Sequence, residues 1–309
     1  MRGVIDIGSN TMRLAMYRTD TPYPDLLFSR RIAASLAAYI DEDSVMSDEG
    51  ILRAIEVLEE FSVLLGKLDD PPVTAIATAG LRNIENSDEA VRSIEQASGM
   101  PITVLSGDEE AFFVSYAVRN SMDEEPLLAT DTYLVVDIGG GSTELVVYRD
   151  DDIADEASFP IGSLNQYLRH VDYLLPTRAN RLAIEANVAE LVANHFGRPQ
   201  PAISAIAGVG GSIRGALRLY NTAHEFEQTN RIMTADGLEE LISSFDADDK
   251  ECIVRLSRVA PDRIHTLLPG MIILHGVATA FGADSIGVSH WGLREGYLLY
   301  RMRQEDFCD

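Results

Sequence analysis

The hydrophobic pattern begins with two short apolar runs joined by a polar, glycine-containing turn. Residues 3–7 and 12–17 flank a turn at 8–11, an arrangement typical of two strands in a hairpin. Residues 133–148 repeat the pattern without a gap, in an alignment that matches Asp6 with Asp137 and Tyr17 with Tyr148. The sequence therefore predicts a duplicated fold with one hairpin at the start of each half.

Apolar periodicity outside the hairpins predicts alternating helices and strands. From Ser47 onward, helical spacing predicts a core face made of Ile51, Leu52, Ile55, Leu58, Phe61 and Leu65. Further helices are expected at 87–98, from 106, at 179–196, from 213, at 238–245, at 270–282 and from 293. Strands are expected at 73–78, 102–105, 202–207 and 285–288, and loops at 79–83 and 208–212. The alternation predicts an α/β fold with a mixed or parallel sheet covered by helices.

The length of the chain predicts two domains, because 309 residues are about twice the usual ~150-residue domain. A polar break at 123–126 places the domains at 1–123 plus 296–309 and at 124–295. No window holds ~18 uninterrupted apolar residues, and the N-terminus lacks a signal-peptide core. Cys252 and Cys308 show neither disulfide nor metal spacing. A cytoplasmic protein without a membrane partner is therefore expected.

The charge balance limits the partners of this chain. Acidic residues exceed basic ones by 49 − 25 = 24, which argues against a DNA-binding groove, because clustered Lys and Arg bind phosphate backbones. An anionic ligand would need a local site of backbone N–H groups, a few arginines and a divalent cation.

The hairpin turns carry residue types suited to such a site. Glycines let the backbone approach a phosphate, and an aspartate at a strand end can hold a hydrated cation. One copy is equally compatible with a plain hairpin. Two copies and a third glycine-rich loop favour a phosphate cleft between the halves and a duplicated actin-like (ribonuclease-H-like, ASKHA) fold. The candidate phosphate-binding residues are Gly8, Ser9, Asn10, Thr11, Arg13, Gly139, Gly140, Gly141, Ser142, Thr143, Gly208, Gly210, Gly211 and Ser212.

Arg13 and Glu144 occupy equivalent positions on the second strands of the two hairpins. Glu144 would join Asp137 near the cation. Arg13 could contact phosphate, although a solvated surface charge is an equally good interpretation.

Six motifs follow one another along almost the whole chain. They are V-I-D-I-G-S-N-T at 4–11, A-T-A-G-L-R at 77–82, L-S-G-D-E-E-A at 105–111, V-D-I-G-G-G-S-T-E at 136–144, L-P-G at 268–270 and G-L-R-E-G at 292–296. Together they resemble the motifs of the exopolyphosphatase/guanosine pentaphosphate phosphatase (Ppx/GppA) family.

The resemblance implies a metal-assisted hydrolase that removes terminal phosphates from inorganic polyphosphate or from a guanosine polyphosphate. The roles it implies are a catalytic base at Glu110, a phosphate ligand at Arg82, Mg²⁺-linked carboxylates at Asp137 and Glu144, and a phosphate loop with Gly139 and Ser142. Asp6 is a further candidate metal ligand, Mn²⁺ is an alternative ion, and a homodimer is the expected assembly.

Helix geometry separates Glu109 from its neighbour Glu110. Glu109 lies three residues after Ser106, where its carboxylate can cap the Ser106 N–H. Glu110 is rotated by ~100° around the helix and is not needed for the cap. It could therefore face the cleft and take a proton from water.

Two segments depart from the family pattern. Residues 36–40 lack the acid and the glycine of a family loop, and residues 159–165 lack an arginine whose place Arg169 could take. A helical C-terminal extension found in longer relatives is also absent, so we expect the short form of the family.

Other functions remain open beside polyphosphate hydrolysis. The shared phosphate motifs are equally compatible with guanosine pentaphosphate. An actin-fold kinase would use the same loops for ATP, and a non-catalytic nucleotide or alarmone sensor would keep the glycines but lose Glu110.

Overall fold

The computed structural model describes residues 1–121, 132–150, 152–197, 203–245 and 250–306. The chain divides into two compact units: unit 1 is Met1–Phe113 with Leu293–Asp309, and unit 2 is Val114–Gly292. The sequence placed these breaks 123 − 113 = 10 and 295 − 292 = 3 residues later. The polar break at 123–126 lies outside the described residues.

Unit 1 is built on a five-stranded mixed sheet with the order β3-β2-β1-β4-β5. Its strands are β1 (Arg2–Ile7), β2 (Thr11–Arg18), β3 (Asp25–Ala33), β4 (Val73–Ala77) and β5 (Ile102–Val104). Its helices are α1 (Asp48–Gly66), α2 (Ala79–Arg82), α3 (Ser87–Ser98), the first half of α4 (Gly107–Ser121) and α11 (Leu293–Asp306). Strand β1 pairs antiparallel with β2 and parallel with β4, which confirms the mixed sheet.

Unit 2 is built on a six-stranded sheet with the order β10-β11-β9-β6-β7-β8. Its strands are β6 (Thr132–Ile138), β7 (Thr143–Arg149), β8 (Asp152–Phe159), β9 (Ala205–Val209), β10 (Ile232–Thr234) and β11 (Ser285–Val288). Its own helices are α5 (Ser163–His170), α6 (Arg178–Phe196), α7 (Gly211–Ala223), α8 (Ala235–Ser243), α9 (Lys250–Val259) and α10 (Ile264–Phe281).

The two sheets confirm the predicted duplication down to the hydrogen-bond register. Asp6 lies opposite Arg13 in the first hairpin, and Asp137 lies opposite Glu144 in the second. The register also shifts at Met16/Tyr17 in one sheet and at Val147/Tyr148 in the other, which are again equivalent positions. The second strand of each hairpin therefore has the same irregularity in its pairing with the third strand.

Most predicted elements are confirmed. In helix α1 the predicted start is correct, but one residue of the predicted core face is not buried. The Ser47 side chain caps the helix by accepting from Gly50 N at 3.3 Å. The prediction of Leu52 on the core face is wrong, because this side chain is 57% exposed. Ala54 and Val57 fill the face instead, since the ~100° step between neighbours turns Leu52 away when Ile51 points inward.

Two predicted loops are partly regular structure. Residues 79–82 form helix α2, and Gly208 with Val209 belongs to strand β9. Strands β3, β8 and β10 and helices α5 and α9 were not predicted. Strand β3 is an edge strand with no fully buried residue, so it carries no strong hydrophobic alternation.

Helix α10 lies in the core of unit 2. Residues 261–281 are long and apolar enough to cross a membrane by length and composition, but 72% of the apolar window is buried inside the protein. The helix packs against α5, α6, α7 and α8. A helix that is apolar all round and covered by other helices is typical of a protein core.

Candidate functional site

Each unit places the same tight turn between the first two strands of its sheet. In unit 1, Gly8 N donates to Thr11 O at 3.2 Å, and in unit 2 Gly139 N donates to Ser142 O at 3.0 Å. These turns contain most of the predicted phosphate-binding residues. The duplication therefore extends from the strands to the turns themselves.

The carbonyl groups of the unit 1 turn are held by the segment that begins the 3-10 helix Leu36–Tyr39. Ser9 O accepts from Ala37 N and Asn10 O accepts from Ser35 N, both at 2.9 Å. Because N–H and C=O point in opposite directions in a trans peptide, the N–H groups of Asn10 and Thr11 face away from this segment. Backbone N–H groups of residues 35 and 37 thus hold the turn in its orientation.

In unit 2 the start of helix α5 holds the equivalent carbonyl groups. Gly140 O accepts from Leu164 N at 2.9 Å and Gly141 O accepts from Asn165 Nδ2 at 2.8 Å. By the same peptide geometry, the N–H groups of Gly141 and Ser142 point away from α5. Successive N–H groups on one side of a turn form a concave site for anions.

The glycine at position 162 allows α5 to approach this turn closely. A Cβ there would lie 2.4 Å from the carbonyl carbon of Gly140 and 2.5 Å from Gly141 N. Its own N–H donates to Asn165 Oδ1 at 2.7 Å. Gly162 and Asn165 therefore fix the turn, and sequence reasoning did not assign them a role.

Two carboxylates end the hairpin of unit 2. Asp137 and Glu144 are directly opposite in the β6–β7 ladder, so their side chains share a face of the sheet. Glu144 is 2% exposed and accepts a hydrogen bond from Ser158 Oγ at 3.0 Å. Burial of an ionised carboxylate is costly without compensation, which makes a cation a suitable ligand for this pair.

The loop between β9 and α7 is shaped to leave room at Asp137. Gly210 has a φ of 96°, and a Cβ there would lie 2.5 Å from Asp137 Oδ1. The carboxylate therefore faces a turn that only glycine accommodates without strain. Carboxylate oxygens are the hard ligands that Mg²⁺ prefers, so Asp137 and Glu144 fit the expected ion.

Glu110 and Arg82, the predicted base and phosphate ligand, form an ion pair in unit 1. Arg82 Nη1 donates to Glu110 Oε2 at 2.7 Å and to Leu105 O at 3.2 Å, and both side chains are largely buried. Glu109 closes the predicted capping box, because its Oε2 accepts from Ser106 N at 2.8 Å. The structure thus confirms that the cap uses Glu109 and leaves Glu110 to another partner.

Three predicted phosphate ligands are occupied by packing. Thr143 is fully buried and donates to Ile161 O at 2.6 Å. Ser212 is buried beside Gly270, and its hydroxyl has no hydrogen-bond partner among the described residues. Gly208 lies within strand β9 rather than in a loop, where its carbonyl accepts from Ser289 N. Of the predicted loop at 208–212, Gly210 alone lies outside regular structure, because β9 ends at Val209 and α7 begins at Gly211.

Sequence reasoning missed the partner of Asp6. Arg294 Nη1 donates to Asp6 Oδ2 at 2.7 Å, and Tyr17 Oη donates to Glu295 Oε1 at 2.6 Å. Burial alone would lower the pKa of Arg294, but the charges of Glu295 and Asp6 outweigh it and raise that pKa above its ordinary value. Arg294 belongs to the G-L-R-E-G motif at 292–296, to which sequence reasoning assigned no role. The motif was therefore the signal that could have pointed to this ion pair.

A separate polar cluster in unit 2 joins Glu185, Glu239 and His275. Their ligand atoms lie within 4.8 Å of one another, as at a metal site, beside a pocket of about 410 Å³. Arg181 donates to both carboxylates, and the hydrogen bond from Arg181 lowers the pKa of Glu239. The guanidinium thus already supplies a cation to this cluster.

Fold and turns together define a two-domain α/β protein of the actin-like class. The model of the Ppx/GppA phosphatase family matches residues 16–305, so the chain belongs to the Ppx/GppA phosphatase family and is a phosphatase enzyme.

Relatives and solved structures agree with this membership. The chain is 25% identical to exopolyphosphatase 1 of Mycobacterium tuberculosis over 315 residues, covering 98% of this chain and 88% of that protein. A family member from Aquifex aeolicus has a TM-score of 0.77 at 24% identity, covering 99% of this chain and 98% of that one. An exopolyphosphatase from Cytophaga hutchinsonii has a TM-score of 0.82 at 21% identity, with 98% of both chains covered.

Proposed function

We propose that this protein is a Mg²⁺-dependent exopolyphosphatase that hydrolyses the terminal phosphoanhydride of inorganic polyphosphate and releases orthophosphate. The observation that carries the proposal is the unit 2 turn, whose N–H groups face away from α5 next to the opposed carboxylates of Asp137 and Glu144. This arrangement suits a phosphate and its cation. The name of the mycobacterial relative supports polyphosphate as the substrate.

Phosphoanhydride hydrolysis requires positioning and charge stabilisation more than covalent work by the protein. Asp137 and Glu144 would hold Mg²⁺, which neutralises phosphate oxygens when bound. The N–H groups of Gly141 and Ser142 donate to phosphate oxygens. Glu110 accepts the proton of the attacking water, and Arg82 fixes Glu110 and binds phosphate. Groups of these kinds offset locally the repulsion between an anionic substrate and a chain with net charge −24.

Phosphate release from long polyphosphate, tripolyphosphate, guanosine pentaphosphate and ATP, each with and without Mg²⁺, tests the substrate. Orthophosphate from polyphosphate in excess over the other substrates is expected, and a chelator should abolish it until Mg²⁺ or Mn²⁺ is restored. Faster release of orthophosphate from guanosine pentaphosphate would identify that nucleotide, instead of polyphosphate, as the substrate. Phosphorylation of a sugar by ATP would identify a kinase, and binding without turnover would identify a sensor.

The Glu110→Gln variant tests the catalytic base. A base contributes about 10²–10⁴-fold, so kcat should fall by that factor while KM changes little. Glu109→Gln is the matched control one residue away. It weakens the cap by about 1 kcal/mol and should lower the unfolding temperature without a comparable loss of kcat. Equal kcat losses in the two variants would contradict the assignment.

We further propose that the enzyme works in the cytoplasm as a homodimer. Cys252 is buried and forms no disulfide, and a reduced thiol suits that compartment. Sedimentation of the purified protein and fractionation of the cells that produce it check the two statements separately.

A further inference from the structure

Helix α10 contains two adjacent residues that are unfavourable in a helix. Pro269 and Gly270 belong to the L-P-G motif at 268–270, to which sequence reasoning assigned no role. Proline cannot donate a helix hydrogen bond, and glycine loses more backbone entropy than any other residue when it becomes helical. Both residues are buried. Tertiary contacts, and not helix propensity, must therefore account for them.

The missing side chain of Gly270 leaves room for the starts of two other helices. A Cβ at position 270 would lie 2.6 Å from Ser212 Cβ, 2.7 Å from Ser212 Oγ and 3.4 Å from Ser163 Cβ. Ser212 lies in the first turn of α7 and Ser163 is the first residue of α5, and each is only 1% exposed. Residue 270 is therefore the point at which α5, α7 and α10 meet.

The close contact with Ser212 could not be relieved by a change of rotamer. Carbon atoms pack best at about 3.5–4.0 Å, so a Cβ at position 270 would overlap Ser212 Cβ. That atom is bonded directly to the backbone of α7 and cannot rotate away. The 3.4 Å distance to Ser163 leaves no free space on the α5 side. A side chain at 270 would therefore have to shift the start of a neighbouring helix.

The start of α5 holds the backbone next to Asp137. Gly139 O accepts from Ser163 N at 2.9 Å and from Ser163 Oγ at 3.1 Å. The next residue of the helix, Leu164, donates from its N–H to Gly140 O at 2.9 Å. Because Gly139 follows Asp137 by two residues, a displacement of Ser163 would move the turn beside this carboxylate.

The start of α7 carries the loop that faces Asp137. This loop is the single residue Gly210, where a Cβ would lie 2.5 Å from Asp137 Oδ1. Arg214 N donates to Gly210 O at 3.1 Å, so the first helix hydrogen bond of α7 ends on this glycine. A displacement of Ser212, two residues later, would therefore change the space beside Asp137. The two segments next to this carboxylate are thus the two that Gly270 contacts.

From these contacts we propose that Gly270 is a positioning residue for the Mg²⁺ and phosphate site of unit 2. Its missing side chain sets the spacing between the start of α5 and the start of α7, and this spacing fixes the surroundings of Asp137. The proposal rests on the proposed function for the identity of the ion and the substrate. Gly270 acts through Ser163 and Ser212.

Calorimetric titration of the substrate-free protein with Mg²⁺ tests this role. Gly270→Ala should weaken Mg²⁺ binding by about tenfold, as changes in residues that orient metal ligands do. Gly276→Ala is the matched control, because it is the same substitution on the same helix, but its Cβ would meet Val188 of α6 at 3.1 Å. It should leave the Mg²⁺ affinity unchanged. Equal affinities of the two variants would overturn the positioning role.

A second substitution distinguishes crowding at residue 270 from a general loss of stability. Ser212→Gly, added to Gly270→Ala, removes the two atoms that the new Cβ would overlap. It should restore most of the Mg²⁺ affinity even though glycine in the first turn of α7 lowers the unfolding temperature. An affinity that stays as low as that of Gly270→Ala would overturn the proposal. Should Gly270→Ala not fold, Ser212→Thr takes its place, because it adds one methyl group to the same contact, and an unchanged Mg²⁺ affinity in that variant would overturn the proposal.

Phosphate release from polyphosphate separates the positioning role from the proposed function. If the wild type binds Mg²⁺ but releases no phosphate, the proposed hydrolysis fails, and the Mg²⁺ affinities of the variants still decide the role of Gly270. If the wild type releases phosphate and the Gly270 and Gly276 variants bind Mg²⁺ equally well, only the positioning role fails. If the wild type binds no Mg²⁺, both proposals fail.

Discussion

Single residues set the chemistry of the turns, and Gly210 is the clearest case. Its positive φ lets the chain turn sharply at the end of β9, and its missing Cβ leaves space for one oxygen of Asp137. A side chain there would strain the backbone and displace the carboxylate together. The position of the expected cation therefore depends on the absence of a Cβ atom at Gly210.

Gly210→Ala should raise the Mg²⁺ concentration for half-maximal activity by about tenfold, as loss of a ligand-orienting contact does. Gly99→Ala is the control, since Gly99 has a φ of 69° but a Cβ there would have no neighbour within 4 Å. Both variants should lose about 1 to 2 kcal/mol of unfolding free energy from backbone strain. Unfolding curves measure the loss of stability, and Mg²⁺ titrations of activity measure the loss of metal affinity. An unchanged Mg²⁺ requirement in Gly210→Ala would contradict the predicted role of Gly210 at the metal site.

At the scale of elements, short helical segments position the turns from behind. The 3-10 helix after β3 performs this task in unit 1, and helix α5 performs it in unit 2. The sequence predicts a departure from the family pattern in both segments, yet both donate to the carbonyl groups of their turn. Because these bonds are made largely by backbone N–H groups, much of the positioning survives side-chain divergence.

Asn165→Ala should both loosen the turn and weaken the cap of α5. Asn180→Ala is a matched control, because Asn180 caps α6 in the same way by accepting from Thr177 N at 2.8 Å but does not bind the turn. Each change should cost about 1 kcal/mol of unfolding free energy. Only Asn165→Ala should also raise KM for polyphosphate, by several-fold. Michaelis curves with equal KM values for the two variants would show that the Gly141 contact is irrelevant to binding.

At the scale of the whole molecule, the duplication carries a buried tyrosine in each unit. Tyr17 and Tyr148 occupy equivalent positions in the two hairpins, and burial raises the pKa of both phenols. The charge of Glu295 raises the pKa of Tyr17 further. Each unit therefore contains one phenol that stays protonated in the folded chain where an exposed phenol ionises.

The free energy of unfolding should consequently fall as pH rises above about 10. Below that pH both phenols are protonated in the folded and the unfolded chain, so their contribution is complete. Above it the unfolded chain releases protons that the folded chain retains, which favours unfolding. Urea midpoints between pH 8 and 11 should decline less steeply for Tyr17→Phe and for Tyr148→Phe than for wild type. Tyr23→Phe is the control, because it removes an exposed phenol. If this variant changes the pH slope of the urea midpoint as much as Tyr17→Phe does, burial of the phenols does not explain the loss of stability.

The sequence alone predicted the elements whose signal is local or repeated. Helix α3 and strand β11 have the predicted bounds, and the gapless alignment of the two halves correctly matched both hairpins. The Ser106 cap separated Glu109 from Glu110 because a capping box depends on four consecutive residues. The sequence did not predict edge strand β3 or the exposure of Leu52, since exposure depends on neighbours that are distant in the sequence.

What the tertiary structure decided was the partner of each charged group. Asp6 and Asp137 are equivalent in sequence pattern, yet Asp6 is bound to Arg294, 288 residues away along the chain, and Asp137 faces the Gly210 turn. Motifs specify which chemical groups are present, because each is written in consecutive residues. Coulomb energy depends on distance in space, so the difference between a carboxylate bound to a guanidinium and a carboxylate beside a glycine turn is fixed only when the chain folds.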